Sequence, residues 1–349
     1  MPFGRSRDGH SLHRPHRWPD TNGRLREFRL RIRPFGRTRD GQLCLQCHTL
    51  ARSNPISAFA PVSARCGRDT SAMPPLLVID GDSLAHRAYH SVPSSVRDGA
   101  GESANMIVGF ANMLVGLWQA ERPRTVLACW DTVGVPTWRH ELLRDYQGGR
   151  DFPDDLVAQL ERLPQLVAAA GFANAKGAGF EADDFLAAGV GAEAAWGGTA
   201  VVVTSDRDAY QLVSDTVTVV RPLRGVFEVE RVGPDEVRER YGVDPAQVPD
   251  FIALRGDPSD RIPGARGIGP KKAAAILTEH GSLDRALAAG LLAPEAPALR
   301  DYVSVATMRA DAPIPPLPDA PPDWSAAAAL VERWGLNALA RRLTDAGAR

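Results

Sequence analysis

From Met73 onward, short apolar runs recur between longer amphipathic stretches. Residues 76–80 (LLVID), 125–130 (TVLACW) and 200–204 (AVVVT) are each almost continuously apolar. Runs of that length are read as strands buried on both faces, as in a parallel sheet. Residues 216–220 (TVTVV) predict a further strand, and the alternation in 226–230 (VFEVE) predicts an edge hairpin arm. Helical patterns fill the intervals, over 103–119 and 154–170, and Phe185–Ala188 opens another helix. Strand–helix–strand alternation predicts an α/β fold, a doubly wound, mainly parallel sheet with helices on both faces. After about residue 233 the strand signals stop. Helices and turns rich in Pro and Gly predict a smaller helical part over 233–349 beside a core over 73–232.

The acids fall at the ends of these elements. Asp80 and Asp82 follow the first strand, Asp131 the second, and Asp206 and Asp208 the third. Ligands of open α/β sheets bind beyond the carboxyl ends of the strands. Glu181, Asp183 and Asp184 crowd the first turn of a helix that can face the same edge, and Asp257 and Asp260 come from the helical part. One Asp after a strand is ordinary turn or cap chemistry, and Asp82, in GDS, is most simply such a cap. Several strands and a helix start doing so together is different. Clustered carboxylates do not stay ionised without a compensating charge. Hard divalent cations take oxygen ligands, and Mg²⁺ bridges carboxylates to phosphate. No His or Cys accompanies the acids, which argues against zinc. Paired metals clamp the attacking and leaving oxygens in phosphodiester cleavage.

A second informative stretch is 256–277, GDPSDRIPGARGIGPKKAAAIL. Gly264, Gly267 and Gly269 predict a tight turn, and Pro270 suits the first position of a helix. Lys271 and Lys272 follow. Backbone N–H groups at such a helix start hold phosphate. This predicts grip on a DNA backbone, which carries no sequence information.

Composition changes the picture in one place. Net charge is −1 and names no partner. Within residues 1–72, however, arginines far outnumber the acids Asp8, Asp20, Glu27, Asp40 and Asp69, and no sustained period appears. The segment is expected to be a disordered extension, with Met73 as the expected true start. The alternatives for it are a basic arm or a targeting peptide. CLQCH (44–48) matches a haem-attachment pattern but lies in this unpatterned segment and is assigned nothing. Four cysteines (Cys44, Cys47, Cys66 and Cys129) make a disulfide framework unlikely on general grounds. No apolar run is long enough to span a bilayer, so a cytoplasmic protein with no membrane partner is expected.

In order and spacing, the blocks LLVIDGDSLAHRAYH, CWDT, WRHELLRDYQGGR, GFEADDFLA, TSDRDAYQL and GDPSDRIPGARGIGPKKAA resemble the bacterial 5′-nuclease family. Its members include the 5′–3′ exonuclease domain of DNA polymerase I and the flap endonucleases. The resemblance implies a PIN-like core with an arch at about residues 90–150, and a helix-three-turn-helix element at the hairpin that binds K⁺. It implies two ions, Mg²⁺ or Mn²⁺. One would lie near Asp80, Asp131, Glu181 and Asp183, the other near Asp183, Asp206, Asp208 and Asp260, with Asp184 and Asp257 behind them. Arg87, Gln147 and Arg150 would serve catalysis. Gln147 departs from the family's Tyr-Lys-x-x-Arg pattern, losing a charge, and Arg261 replaces an asparagine. The implied activity is structure-specific cleavage of DNA at 5′ ends and 5′ flaps in replication and repair, by a monomer. Two rival readings are a catalytically weakened binder of branched DNA and a ribonuclease of the related fold.

Overall fold

The computed structural model describes residues 17–19, 25–27, 73–132, 134–147, 152–224 and 228–348. Of the first 72 residues it describes one antiparallel ladder, Arg17–Pro19 against Leu25–Glu27. The disorder and the 44–48 motif considered above lie outside the described residues, as does Arg150.

Six strands form the central sheet: β1 (Leu76–Asp80), β2 (Thr125–Cys129), β3 (Ala173–Ala175), β4 (Ala200–Val203), β5 (Val217–Arg224) and β6 (Glu228–Val232). Their order is β3-β2-β1-β4-β5-β6, all neighbours parallel except the β5–β6 pair. Every residue of β1, β2 and β4 is buried, which is why those runs lack alternation. Successive side chains still point to opposite faces. Leu77 and Ile79 join one apolar cluster, while Leu76 and Val78 join the other.

The first face is covered by α1 (Gly81–Ser91), α2 (Asn105–Glu121), α4 (Asp154–Leu160) and α5 (Leu163–Ala169). The second carries α6 (Ala182–Ala195), whose Gly189 lies so close to the sheet that a Cβ there would sit 2.7 Å from Leu127. A third cluster belongs to the helical part. It joins α7 (Pro234–Tyr241) to α8 (Val248–Arg255), α9 (Pro270–His280), α10 (Leu283–Ala288) and α11 (Ala296–Ala306) through Val243, Phe251, Leu254, Leu277 and Leu299.

Four expectations need correction. The helix over 154–170 is two helices, α4 and α5, with Pro164 in the first turn of the second, where proline's missing N–H costs nothing. Strand β3 was not anticipated: it is three residues long, ANA, and mostly half-buried. An arch over 90–150 is not what forms. Residues 105–121 are core helix α2, with ten of its residues buried, and 125–129 are an interior strand; an element apolar on nearly all sides belongs inside. Of the span expected as an arch, the described part after β2, with its short α3 (Arg139–Leu142), lines the cavity at the strand ends. Finally, α12 (Trp324–Arg333) and α13 (Asn337–Gly347) leave the helical part. Trp324, Val331, Leu339 and Leu343 pack into the first-face cluster with α2 and α5.

Candidate active site

The sheet order reverses between β1 and β4, and the crevice at such a switch point is where α/β sheets take ligands. A hydrogen bond spans it: Thr204 Oγ1 donates to Asp80 Oδ2 at 2.6 Å. Asp80 also caps α1, accepting from Ser83 N at 2.9 Å. Beyond these strand ends opens a cavity of about 870 Å³. Asp80, Asp82, Asp131, Glu181, Asp183, Asp206, Asp208 and Asp257 all line it. The acids predicted from separate strands therefore share one space.

Backbone donors hold several of them in place. Asp131 Oδ1 accepts from Ala182 N at 2.7 Å, the first amide of α6, where an anion suits the helix dipole. Asp206 Oδ1 accepts from Asp208 N at 2.9 Å. Glu181 is gripped from the facing segment, Thr137 Oγ1 donating to Oε1 at 2.9 Å and Tyr146 Oη to Oε2 at 3.0 Å. Asp257 accepts from Ser259 N and from Arg255 Nη2, each at 2.9 Å.

These contacts do not neutralise the cluster. Burial, reinforced by the charges of Asp131 and Asp206, pushes Asp80 up to about 7, although Thr204 and Ser83 oppose it. Burial likewise pushes Glu181 up to about 7, with Arg139 opposing and Asp131 adding to the rise. Asp82, Asp183 and Asp208 are raised well above the ordinary carboxyl value by burial and by neighbouring carboxylates. Such a set takes up positive charge, as protons or as cations. All the donors are oxygens, the ligand type of hard divalent ions, so the residues fit the implied metals in chemistry. Their spacing is more open than a closed cage: among the described residues no three of His, Cys, Asp or Glu stand close enough to hold one ion unaided.

Some predicted site residues lie elsewhere. Asp184, grouped with the metal ligands, does not line the cavity. It is fully buried and meets Arg139 in a two-pronged pair, Nη1 to Oδ2 and Nη2 to Oδ1 at 2.8 Å each. Trp138 Nε1, Glu181 N and Arg309 N also donate to it, so its lone pairs are committed to the fold. Arg87, grouped with the catalytic residues, points from α1 to the carbonyls of Pro222 and Leu223 in β5 rather than into the cavity. Burial, and the charge of Arg221, lower its pKa. Asp260 is not part of the cavity lining, but it accepts from Gln147 Nε2 at 3.0 Å, and Gln147 does line it.

In the hairpin, Gly264 has φ +75° and its Cβ would lie 2.4 Å from Gly256 N, so glycine is required there. Gly267 also has positive φ, whereas Gly269 is extended and forms the N-cap of α9 instead of part of the turn. Lys271 and Lys272 are exposed on its first turn, Lys272 Nζ donating to Gly267 O at 3.1 Å.

Sequence reasoning passed over Asp82, whose Oδ2 accepts from Asp131 N at 2.7 Å across the cavity while Asp80 does the capping. It also passed over Arg139, Thr137 and Thr204. Only Thr204 carried a usable signal, its place directly after a buried strand.

Family models match two adjoining stretches: the N-terminal resolvase-like domain of 5′-3′ exonuclease over residues 75–242, and the C-terminal SAM fold of 5′-3′ exonuclease over 243–315. A 5′-3′ exonuclease of Streptomyces coelicolor is 36% identical over 298 residues, covering 76% of this chain and 98% of its own. The chain belongs to the 5′-3′ exonuclease family. DNA polymerase I of Mycobacterium bovis is 40% identical over 223 residues, 63% of this chain. The chain spans about a quarter of that polymerase, 25% of its length. A bacteriophage T5 flap endonuclease, solved as a pseudo-enzyme–product complex with DNA and metal ions, shares the fold at a TM-score of 0.56. It is 18% identical, covering 79% of this chain and 100% of its own. The fold class and family expected from the motifs are thus those found. No helix among the described residues is long and apolar enough to cross a membrane.

Proposed function

We propose that this chain hydrolyses DNA phosphodiester bonds at 5′ ends and 5′-flap junctions, as a monomer, in primer or flap removal and in repair. The single observation that carries this is the convergence of eight acids from strand ends, a helix start and the helical part on one cavity. With water completing the coordination, Asp80, Asp131, Glu181 and Asp183 would hold one Mg²⁺ or Mn²⁺ ion, and Asp183, Asp206, Asp208 and Asp260 a second; Asp82 stands close enough to Asp131 to join the first group. When bound, the ions supply the positive charge that a phosphodiester needs in this anionic space and that its displaced oxygen needs on leaving.

The chain's own residues do the rest. Thr137 and Tyr146 aim Glu181 into the cavity, and Arg139 fixes the helix that carries it. The first turn of α9, with Lys271 and Lys272, would hold the duplex backbone through N–H groups and charge, with K⁺ at the turn before it. Gln147, tied to Asp260 and Tyr146, contributes a neutral amide where a cation would bind phosphate more strongly.

The test is incubation with a labelled 5′-flap DNA and Mg²⁺ or Mn²⁺. Release of the flap at the junction, abolished by a chelator, is expected. Binding without cleavage in both ions would overturn the enzymatic reading, and cutting of an all-RNA flap in preference to DNA would move the substrate class to RNA.

A further inference from the structure

We infer that Arg255 is the side chain that meets a substrate phosphate inside the acid-lined cavity. The inference rests on the nuclease reading above and adds a residue to it. A phosphodiester entering a space walled by carboxylates needs positive charge from the protein as well as from ions. Among the described residues, the arginines lining the cavity are Arg207 and Arg255. Arg207 is exposed, on the loop after β4. Arg255 is the last residue of α8 and is held in a defined pose. Its guanidinium lies 5.5 Å from the centre of the Phe251 ring, and Nη2 donates to Asp257 Oδ2 at 2.9 Å. A cation also suits a helix C-terminus.

Arg255 Nε is buried and makes no hydrogen bond, while the side chain as a whole is 25% exposed, so a phosphate in the cavity would reach its Nη end. Buried donors without partners are rare and call for an explanation. A planar guanidinium matches phosphate oxygens with two parallel bonds. Among the described residues of the facing segment, Gln147 is the departure from the family's lysine at this point. Gln147 is neutral, and its amide is already given to Tyr146 Oη and Asp260 Oδ1 at 3.0 Å each. Asp183, Asp206, Asp208 and Arg255 line the same cavity, so the guanidinium shares that space with acids assigned to the second ion.

The test compares the whole chain with Arg255→Gln and Arg255→Lys in Mg²⁺. Two 5′-flap DNAs are used, one natural and one with a neutral methylphosphonate at the scissile linkage, and binding is read by rapid mixing before any cleavage. Wild type should bind the natural flap about tenfold more tightly than Arg255→Gln, the size of one charge-assisted contact. That difference should vanish on the neutral flap. Arg255→Lys should recover part of it, keeping the charge and losing the fork. The Mg²⁺ concentration giving half-maximal thermal stabilisation should agree within about twofold across all three, as expected if a phosphate contact and not ion binding is lost. An equal loss on both flaps, or a large shift in that Mg²⁺ concentration, would make Arg255 merely the partner of Asp257 and overturn the inference. Failure of wild type to cut the natural flap counts against the nuclease reading instead, and leaves the binding comparison to decide Arg255.

Discussion

Asp183 and Asp184 are adjacent on the first turn of one helix, yet they do opposite things. Asp184 turns into the protein and is matched: a two-pronged arginine and three further N–H donors surround it. Asp183 turns into the cavity beside Asp80 and Asp206, and burial and those charges raise its pKa well above the ordinary range. The compensated acid holds α6, α3 and the end of α11 together, since Arg139 Nε also donates to Val305 O at 3.0 Å. The uncompensated one keeps a site electrostatically hungry for cations. Acidity alone therefore does not mark a functional carboxylate; the absence of a built-in counter-charge does.

The sharpest way to break this contrast is to remove each acid in turn. Asp184→Ala leaves Arg139 buried without its partner and should cost about 3–5 kcal/mol of stability, read as a fall in denaturation midpoint. Asp183→Ala should leave stability of the metal-free protein unchanged or higher while lowering flap cleavage by ~10²–10³ or more. Equal stability losses in the two variants would erase the distinction. A finer cut replaces the pair together: Arg139→Met with Asp184→Leu should be far less destabilising than either single change, while activity still falls because Glu181 loses a neighbouring cation 3.4 Å away.

A smaller effect is expected from pH. Asp80 and Glu181 have ordinary values of 3.8 and 4.5 and are both raised to about 7 in the fold. The folded state thus binds their protons more tightly than the unfolded state does. That stabilisation is complete below the ordinary values and is lost as pH climbs through about 7. In a chelator, the melting temperature should be lower at pH 8 than at pH 5.5, and Mg²⁺ should remove most of the difference. A melting temperature that rises over this interval in the chelator would contradict the uncompensated character of the cavity. The smallest effect concerns the hairpin, whose charges are exposed. Lys272→Ala should weaken duplex binding by a similar factor on all sequences and reduce the salt slope by about 1, with no change in the pH dependence of melting.

Much of this was readable in the chain. Strands β1, β2 and β4 announce themselves because an interior parallel strand must be apolar throughout, and their acids follow directly. β3 escaped because three small residues bury too little to leave a pattern. The arch was misplaced because α2 is helical and apolar on nearly all sides, a signature compatible with several positions until its neighbours are known. Asp82 was assigned to capping because both it and Asp80 can cap, and only the backbone trajectory shows that Ser83 N faces Asp80. Nothing local distinguishes Arg139 from other arginines of the chain.

By itself, the order of residues determined the α/β class, the family, and the supply of carboxylates at one edge of the sheet, because strand burial and strand polarity are local properties with regular periods. The tertiary structure alone decided which acids face the cavity and which are neutralised, where α12 and α13 pack, and that Arg255 stands among the carboxylates with an unpaired donor. Those outcomes depend on partners 45 to 166 residues away in the chain, such as Asp184 and Val305 for Arg139, and charge compensation at that range has no sequence period to reveal it.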